Sequence, residues 1–341
     1  MKALALLLAA TMVVACSRPV KEKRQESDFT TEVLNPSTPV KDQGRSPVCW
    51  IYAMLAAIET EHIGRGDSVN LSPYYAMRKL LEGGAQEAYL SHRTAPLRTR
   101  GTAMKLLRLL EGQGMVPYDA YHYGRDVNTT VLARKISVEV RTATAAKKGL
   151  AVSDSRVATM LDRAFGPVPK RVYMLRADYS PQEFARSVCA PGEYEALTSF
   201  THHPFGSRFA LEVPDNGDRD QCLNVPIDTL MERMERAVRQ HHGVCWEGDT
   251  SEPGFSIALG TAQLPKGCDL SQAARQRAFE RFETTDDHCM AVVGIAHDKQ
   301  GEKFFIMKNS YGSRKPYGGF MYVSFDYVRL KTIAVVLSRG Y

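Results

Sequence analysis

The sequence predicts an α+β fold in two lobes, helical in its front part and strand-rich at its end. Two patterns carry this. The first third holds apolar stretches at helical spacing that follow helix-starting residues, and the last seventy residues break into short β-branched or aromatic runs separated by Gly, Asp and Lys turns. Composition agrees: 44% hydrophobic, 24% charged and 9% aromatic residues exclude collagen-like, coiled-coil and wholly disordered chains. With 341 residues the chain suits about two domains or one large two-lobed unit. The net charge of +6 is mild and scattered, and no zinc-finger, helix-turn-helix or RNP pattern accompanies it, so nucleic acid is not the expected partner.

The chain opens with Lys2 and an apolar stretch over 3–15, too short for a bilayer-spanning helix of ~20 residues and therefore read as a secretory signal peptide over 1–15. It ends Val13-Val14-Ala15-Cys16, which resembles the bacterial lipobox. Cys16 is then the lipidated first residue and a membrane anchor, and Ser17 points to an outer-membrane lipoprotein facing the periplasm or the cell surface. A plain signal-peptidase site followed by Cys is the blander alternative. Residues 16–36 contain the mixed run 21–26 and few apolar positions, which suggests a solvated tether. Residues 37–341 are left as one folded domain: a mainly helical lobe over 37–137, a mixed segment over 138–270 and a β-lobe over 271–341.

Within that domain, residues 48–63 are apolar nearly all round and read as a core helix. Ser72 and Pro73 open a second helix, and a third runs over 102–111. Helical patterns also cover 138–166, up to the breaker run 166–169, and 227–242 after Pro226 and Asp228. Short β-like runs occur at 171–175 and 209–213, and four more at 290–296, 304–308, 320–324 and 333–337. The last leaves a tail of four residues, too short to reach far into a cleft.

Cys49 stands where a Gly/Pro-marked polar loop, 39–48, meets the core helix. A thiol at a helix N-terminus faces unpaired amides and the positive end of the dipole, which favour thiolate. Gln43, six residues upstream, carries an amide able to donate to an oxyanion beside that sulfur. His288 precedes the first strand of the β-lobe and Asn309 ends the next. Antiparallel pairing brings such ends together, so the Asn amide can orient the imidazole.

These segments resemble the papain superfamily of cysteine peptidases: Asp42-Gln43-Gly44 with Cys49-Trp50, then Asp287-His288, then Asn309-Ser310-Tyr311-Gly312. Stretches 225–228, 244–249, 327–329 and 331–333 are similar to the bleomycin hydrolase and aminopeptidase C branch. The resemblance implies a papain-like two-lobed fold with the active site in the cleft, a peptide substrate and no cofactor. It also implies the roles: Cys49 nucleophile, His288 base, Asn309 orienter, Gln43 oxyanion donor. In three places the chain departs from the pattern. Ser46 stands where a disulfide Cys is usual, Tyr311 replaces a Trp that shields the Asn–His bond, and Arg100-Gly101 replaces a Gly-Gly pair that binds substrate backbone.

Other candidates have plainer readings. The second dipeptide, Cys245-Trp246, falls on an expected strand with no helix start to activate the thiol, so it is structural. Cys289 alternates away from His288 and reads as core. Cys189, Cys222 and Cys268 are candidates for a disulfide whose pairing stays open. His202-His203 and His241-His242 lack metal-ligand spacing and read as surface histidines, so no metal is expected. Asp287 either acts on His288 electrostatically or caps a turn. A cysteine peptidase is the leading function. A peptidoglycan amidase or transglutaminase-like enzyme and a catalytically silent peptide-binding lipoprotein are the alternatives.

Overall fold

The computed structural model describes residues 28–122, 127–174 and 176–340; the signal segment, Cys16 and residues 17–27 of the tether lie outside the described residues. Strand β1 (Phe29–Leu34) is followed by helices α1 (Cys49–Gly64), α2 (Pro73–Leu90), α3 (Ala103–Gln113), α4 (Thr129–Ala145) and α5 (Leu150–Phe165). A small hairpin, β2 (Val172–Met174) and β3 (Ala177–Tyr179), leads to α6 (Pro181–Val188), β4 (Tyr194–Thr198), β5 (Arg208–Ala210), β6 (Gln221–Asn224), α7 (Ile227–Arg239) and β7 (Val244–Gly248). The remainder comprises β8 (Phe255–Ser256), β9 (Thr261–Ala262), α8 (Gln272–Glu280), β10 (His288–Asp298), β11 (Lys303–Lys308), β12 (Phe320–Ser324), α9 (Phe325–Lys331) and β13 (Thr332–Ser338). Among the described residues no helix is long and apolar enough to cross a membrane.

The helix starts follow the local chemistry. Ser72 accepts from the Tyr75 amide at the head of α2 and Thr102 from the Lys105 amide at the head of α3. Helix α1 is buried continuously from Trp50 to His62, as an all-round apolar helix must be. It lies between the helical lobe and one face of a mostly antiparallel sheet of order β5-β6-β4-β13-β7-β10-β11-β12-β9-β8. Alternation divides the central strands. Cys245, Cys289, Ala334 and Val336 pack with α1 and the helical lobe, while Trp246, Met290, Val335 and Leu337 pack with α7.

Four expectations change. The helical pattern over 138–166 is two helices, separated by a turn at 146–149 in which Gly149 has φ 78°, a left-handed conformation glycine adopts freely. The boundary at residue 137 therefore falls inside α4, and the helical lobe runs on to Phe165. The tether ends earlier than residue 36, because β1 pairs with the second half of β10 from Phe29↔Asp298 to Leu34↔Gly294. Phe29 stacks on Tyr322 at 4.0 Å, which supplies an apolar anchor at the head of the strand. The β-lobe also reaches outside 271–341, since β7 pairs with both β10 and β13 in mid-sheet.

Candidate active site

The loop before α1 is fixed from beneath by a buried carboxylate. Glu59, fully buried on α1, accepts from Thr38 Oγ1 (2.5 Å), Lys41 Nζ (2.6 Å) and the Leu71 amide (2.7 Å). Lys308 at the end of β11 donates to Thr38 Oγ1 (2.6 Å), and its burial lowers its pKa to about 8. The loop turns at Gly44, φ 59°, where Asp42 Oδ1 accepts from the Gly44 amide (2.8 Å). Ser46 replaces a covalent link with hydrogen bonds: its Oγ donates to Val127 O (2.7 Å) and accepts from the Thr129 amide at the start of α4 (3.0 Å). Cys49 is then the first residue of α1. No side chain caps this helix start and no acidic residue occupies its first turn, so the free amides act on the thiol alone.

His288 begins β10 opposite Gly248, and β11 returns antiparallel to it, with Lys308 opposite Ala291. That register brings Asn309, the next residue after β11, beside the imidazole. His288 Nε2 lies 2.8 Å from Asn309 Oδ1, an oxygen that also accepts the Ser310 amide (2.8 Å). Because Asn309 Oδ1 is an acceptor, Nε2 carries a proton and Nδ1 is left for Cys49. The Tyr311 ring stacks on the imidazole at 5.0 Å and 11°, taking the shielding position, with its hydroxyl 3.4 Å from Nδ1. Gln43 is tied to the Asn309 loop. Its amide donates to Ser310 O (2.9 Å), and its Oε1 accepts from Ser310 Oγ (2.5 Å). One Nε2 hydrogen goes to Ser46 O (2.8 Å), which leaves the other for a ligand.

The electrostatics complete an ion pair. A hydrogen bond from Cys289, joined by the bond to His288 and the charge of its ring, overcomes burial and holds the Cys49 thiol well below its usual range. Burial alone would lower the His288 pKa. The hydrogen bond to Cys49 and its negative charge outweigh this and raise it, with Asn309 adding to the effect. Cys289 is pushed well up, first by that same bond to Cys49, and stays a thiol donor. Its strand alternation is as expected, but the face it takes is the one on which α1 begins. Cys289 is core, as expected, and from that position its thiol also acts on Cys49. Cys245 is 1% exposed and burial drives its pKa well up, as a structural thiol requires. Every cysteine among the described residues is a free thiol, Cys189, Cys222 and Cys268 included.

The loop ahead of His288 is pinned by acceptors. Asp287 receives Thr285 Oγ1 (2.9 Å) and the Thr250 amide (3.2 Å), and its charge also helps raise the His288 pKa, so both of its expected roles occur together. Arg100 joins the lobes: Nε donates to Asp215 (2.6 Å) and Nη2 to Asp286 O (2.8 Å), two residues before His288. Gly101 lies against Trp50, where a Cβ would stand 3.2 Å from the ring. Arg100, Asp286 and Phe279 also line an open depression of about 750 Å³. The spacing of Cys289, Ser310, Arg100 and Glu59 carries no motif of its own, and only their adjacency to recognised positions marks the first two.

His202 and His203 gather on one carboxylate, while His241 bonds to Asn35 and His242 lies beside Glu61. Nε2 of His202 and of His203 lie 3.1 and 2.9 Å from the two Glu212 carboxylate oxygens. Gln276 Oε1 accepts the Thr201 amide (2.6 Å), so its Nε2 donates to His202 Nδ1 (3.1 Å). That leaves the proton of His202 on Nε2, where it bonds to Glu212 instead of presenting a lone pair to a metal.

No family model and no curated protein sequence matches the chain. Solved structures do. PepW from Lactobacillus rhamnosis HN001 matches with a TM-score of 0.68 and 16% identity, over 92% of this chain and 82% of that one. Digestive procathepsin L 3 from the Tenebrio molitor larval midgut gives 0.46 and 15%, over 94% and 72%. The bromelain protease from Ananas comosus, in complex with the E64 inhibitor, gives 0.43 and 13%, over 89% and 94%. The chain has the papain-like α+β fold, two lobes with Cys49 on the helical one and His288 and Asn309 on the β-lobe.

Proposed function

We propose that the chain is a cysteine peptidase of the aminopeptidase C and bleomycin hydrolase kind, held at the bacterial outer membrane by lipid on Cys16. One observation carries the catalytic part: the imidazole of His288 is bonded through Nε2 to Asn309 at 2.8 Å, stacked by Tyr311, and paired with a thiol at the uncapped start of α1. In the mechanism, the Cys49 thiolate attacks the scissile carbonyl. The Cys49 amide and the uncommitted Gln43 Nε2–H receive the oxyanion. His288 Nδ1–H protonates the leaving amine, a thioester forms on Cys49, and water activated by neutral His288 hydrolyses it. No step needs a cofactor.

The segments that resemble the aminopeptidase C branch interlock behind this site. Tyr327 donates to Asp249 O (3.0 Å), and Lys331 Nζ to Glu283 O (2.7 Å) in the loop leading to His288. The test is hydrolysis of a mixed peptide library with free and blocked N-termini, together with labelling by an epoxide or iodoacetamide probe. Peptide turnover with label on Cys49 is expected. Label without turnover is the outcome for a silent peptide-binding protein, and turnover of muropeptides alone that for an amidase.

A further inference from the structure

Glu247 on β7 is a carboxyl group without a partner. It is 7% exposed, and no hydrogen bond or ion pair reaches it among the described residues. A buried acid of this kind calls for an explanation, because removing a carboxyl group from water without compensation is costly. Its position supplies one. Glu247 lies directly opposite Cys289 on β10, whose thiol bonds to Cys49, and opposite Ala334 on β13. Side chains of directly opposed antiparallel residues share a face with Cβ atoms about 4.5–5.5 Å apart, so Glu247 is one strand away from the neighbour of the nucleophile.

The carboxyl group looks into a cavity of about 20 Å³, room for one water-sized group. The other polar groups on the cavity wall have partners: Thr102 Oγ1 donates to Asp220 (2.9 Å), and Asn216 Nδ2 donates to Leu211 O (3.0 Å) and Asp220 O (2.9 Å). Ala196, Ala334 and Val336 supply apolar surface. Burial first, then the charges of Asp286, Asp215 and Cys49, push the Glu247 pKa well up, and Arg100 alone opposes them. His288 balances Cys49, and Arg100 is shared between Asp215 and Asp286. With nothing bound the carboxyl group is therefore favoured as the neutral acid, and a cationic ligand in the cavity is what would hold it ionised.

The cavity is also on a defined side of the cleft. Thr102, Ala103 and Met104, which line it, continue directly from Arg100-Gly101, whose Arg100 bonds to Asp286 O (2.8 Å) two residues before His288; the papain-like resemblance implies that this segment faces substrate backbone. We propose that Glu247 receives an ammonium group of the peptide substrate on the acyl side of the scissile bond and thereby sets the specificity of the cleft. The inference rests on the peptidase reading above. Two sources share the chemistry, the free α-amine of a substrate N-terminus and a lysine side chain. A compact –NH3⁺ with three donors fits a water-sized space, and the planar guanidinium of arginine does not.

The experiment compares wild type and Glu247→Gln on fluorogenic peptides in two arms. One arm pairs free with acetylated N-termini; the other, all acetylated, pairs lysine with norleucine and with arginine upstream of the cleaved bond. Wild type is expected to favour the ammonium-bearing member of one arm by about 30-fold or more in kcat/KM, and Glu247→Gln to bring that ratio within about 3-fold, chiefly through KM. The arm that responds identifies the source. Ratios near one in both arms of the wild type overturn the proposal, whatever the stability of the variant. So does a ratio that survives in a Glu247→Gln protein with wild-type melting temperature. If wild type cleaves nothing and Cys49 takes no thiol label, the peptidase reading itself fails and this inference falls with it.

Discussion

The chain contains the dipeptide Cys-Trp twice, and its two copies have opposite fates. Cys49-Trp50 opens a helix; Cys245-Trp246 lies within a central strand. Both thiols belong to the same apolar layer, and both indoles donate inward, Trp50 to Thr99 O (3.1 Å) and Trp246 to Thr332 Oγ1 (2.8 Å). The difference is what each sulfur meets. Cys49 faces free helix amides, the Cys289 thiol and an imidazole, and its pKa falls; Cys245 meets apolar neighbours, and its pKa rises. Identical residue pairs thus become an activated thiol and a buried one according to the element that carries them.

The largest expected effect tests that contrast directly. Cys49→Ala should lower kcat by about 10⁴-fold or more with little change in melting temperature, because the loss of one member of a cooperating catalytic group removes the action of the whole. Cys245→Ala should leave kcat within about twofold and cost about 1 kcal/mol in chemical denaturation. The reverse pattern, an active Cys49→Ala and an inactive but folded Cys245→Ala, would interchange the two roles.

Gln43→Ala is next, with an expected loss of about 10²-fold in kcat and less change in KM, since an oxyanion donor acts mainly in the transition state. An unchanged kcat would leave only the helix-start amide to serve Cys49. A smaller effect concerns pH. The active ion pair exists above the lowered pKa of Cys49 and below the raised pKa of His288, so the rate should follow a bell. Asn309 helps hold the His288 proton. Asn309→Ala should therefore shift the alkaline limb of kcat/KM to lower pH and leave the acid limb nearly in place; an alkaline limb that does not move removes Asn309 from this role.

The smallest expected effect is at the C-terminal end. Strand β13 starts beside Gly248, in the row of His288, and carries the chain six residues onward, roughly 20 Å at ~3.3 Å per residue, to Ser338. The Arg339 amide is held there by Glu193 O (2.8 Å). Deleting residues 339–341 should leave any preference between free and acetylated N-termini unchanged. Loss of that preference would assign specificity to the tail and take it from Glu247.

Much of this was legible before the structure. Ser72-Pro73 and Thr102 mark helix starts because their side-chain or backbone chemistry is local. The four late strands read from β-branched runs, and the four candidate site positions from motif order. The sequence pattern runs α4 into α5 because the turn between them contains Ala and Lys with a single Gly, a weak break in a helical pattern. Strand β1 does not stand out in the sequence, because its Thr-Thr-Glu centre continues the polar run before it and its partner β10 lies more than 250 residues away.

What the sequence by itself determined was therefore the set of short-range choices: an all-round apolar helix led by Cys49, strands with His288 and Asn309 at their ends, and an amide six residues before the thiol. Tertiary structure decided what touches what. Cys289 joins Cys49, Ser310 orients Gln43, Arg100 bridges to Asp286, and Glu247 is left unpaired among the described residues one strand from Cys289, each across a separation the chain pattern does not encode. The reason is physical. Strand alternation tells which residues share a face, but only the packing of α1 onto that face determines which of them meet a reactive group and which merely fill space.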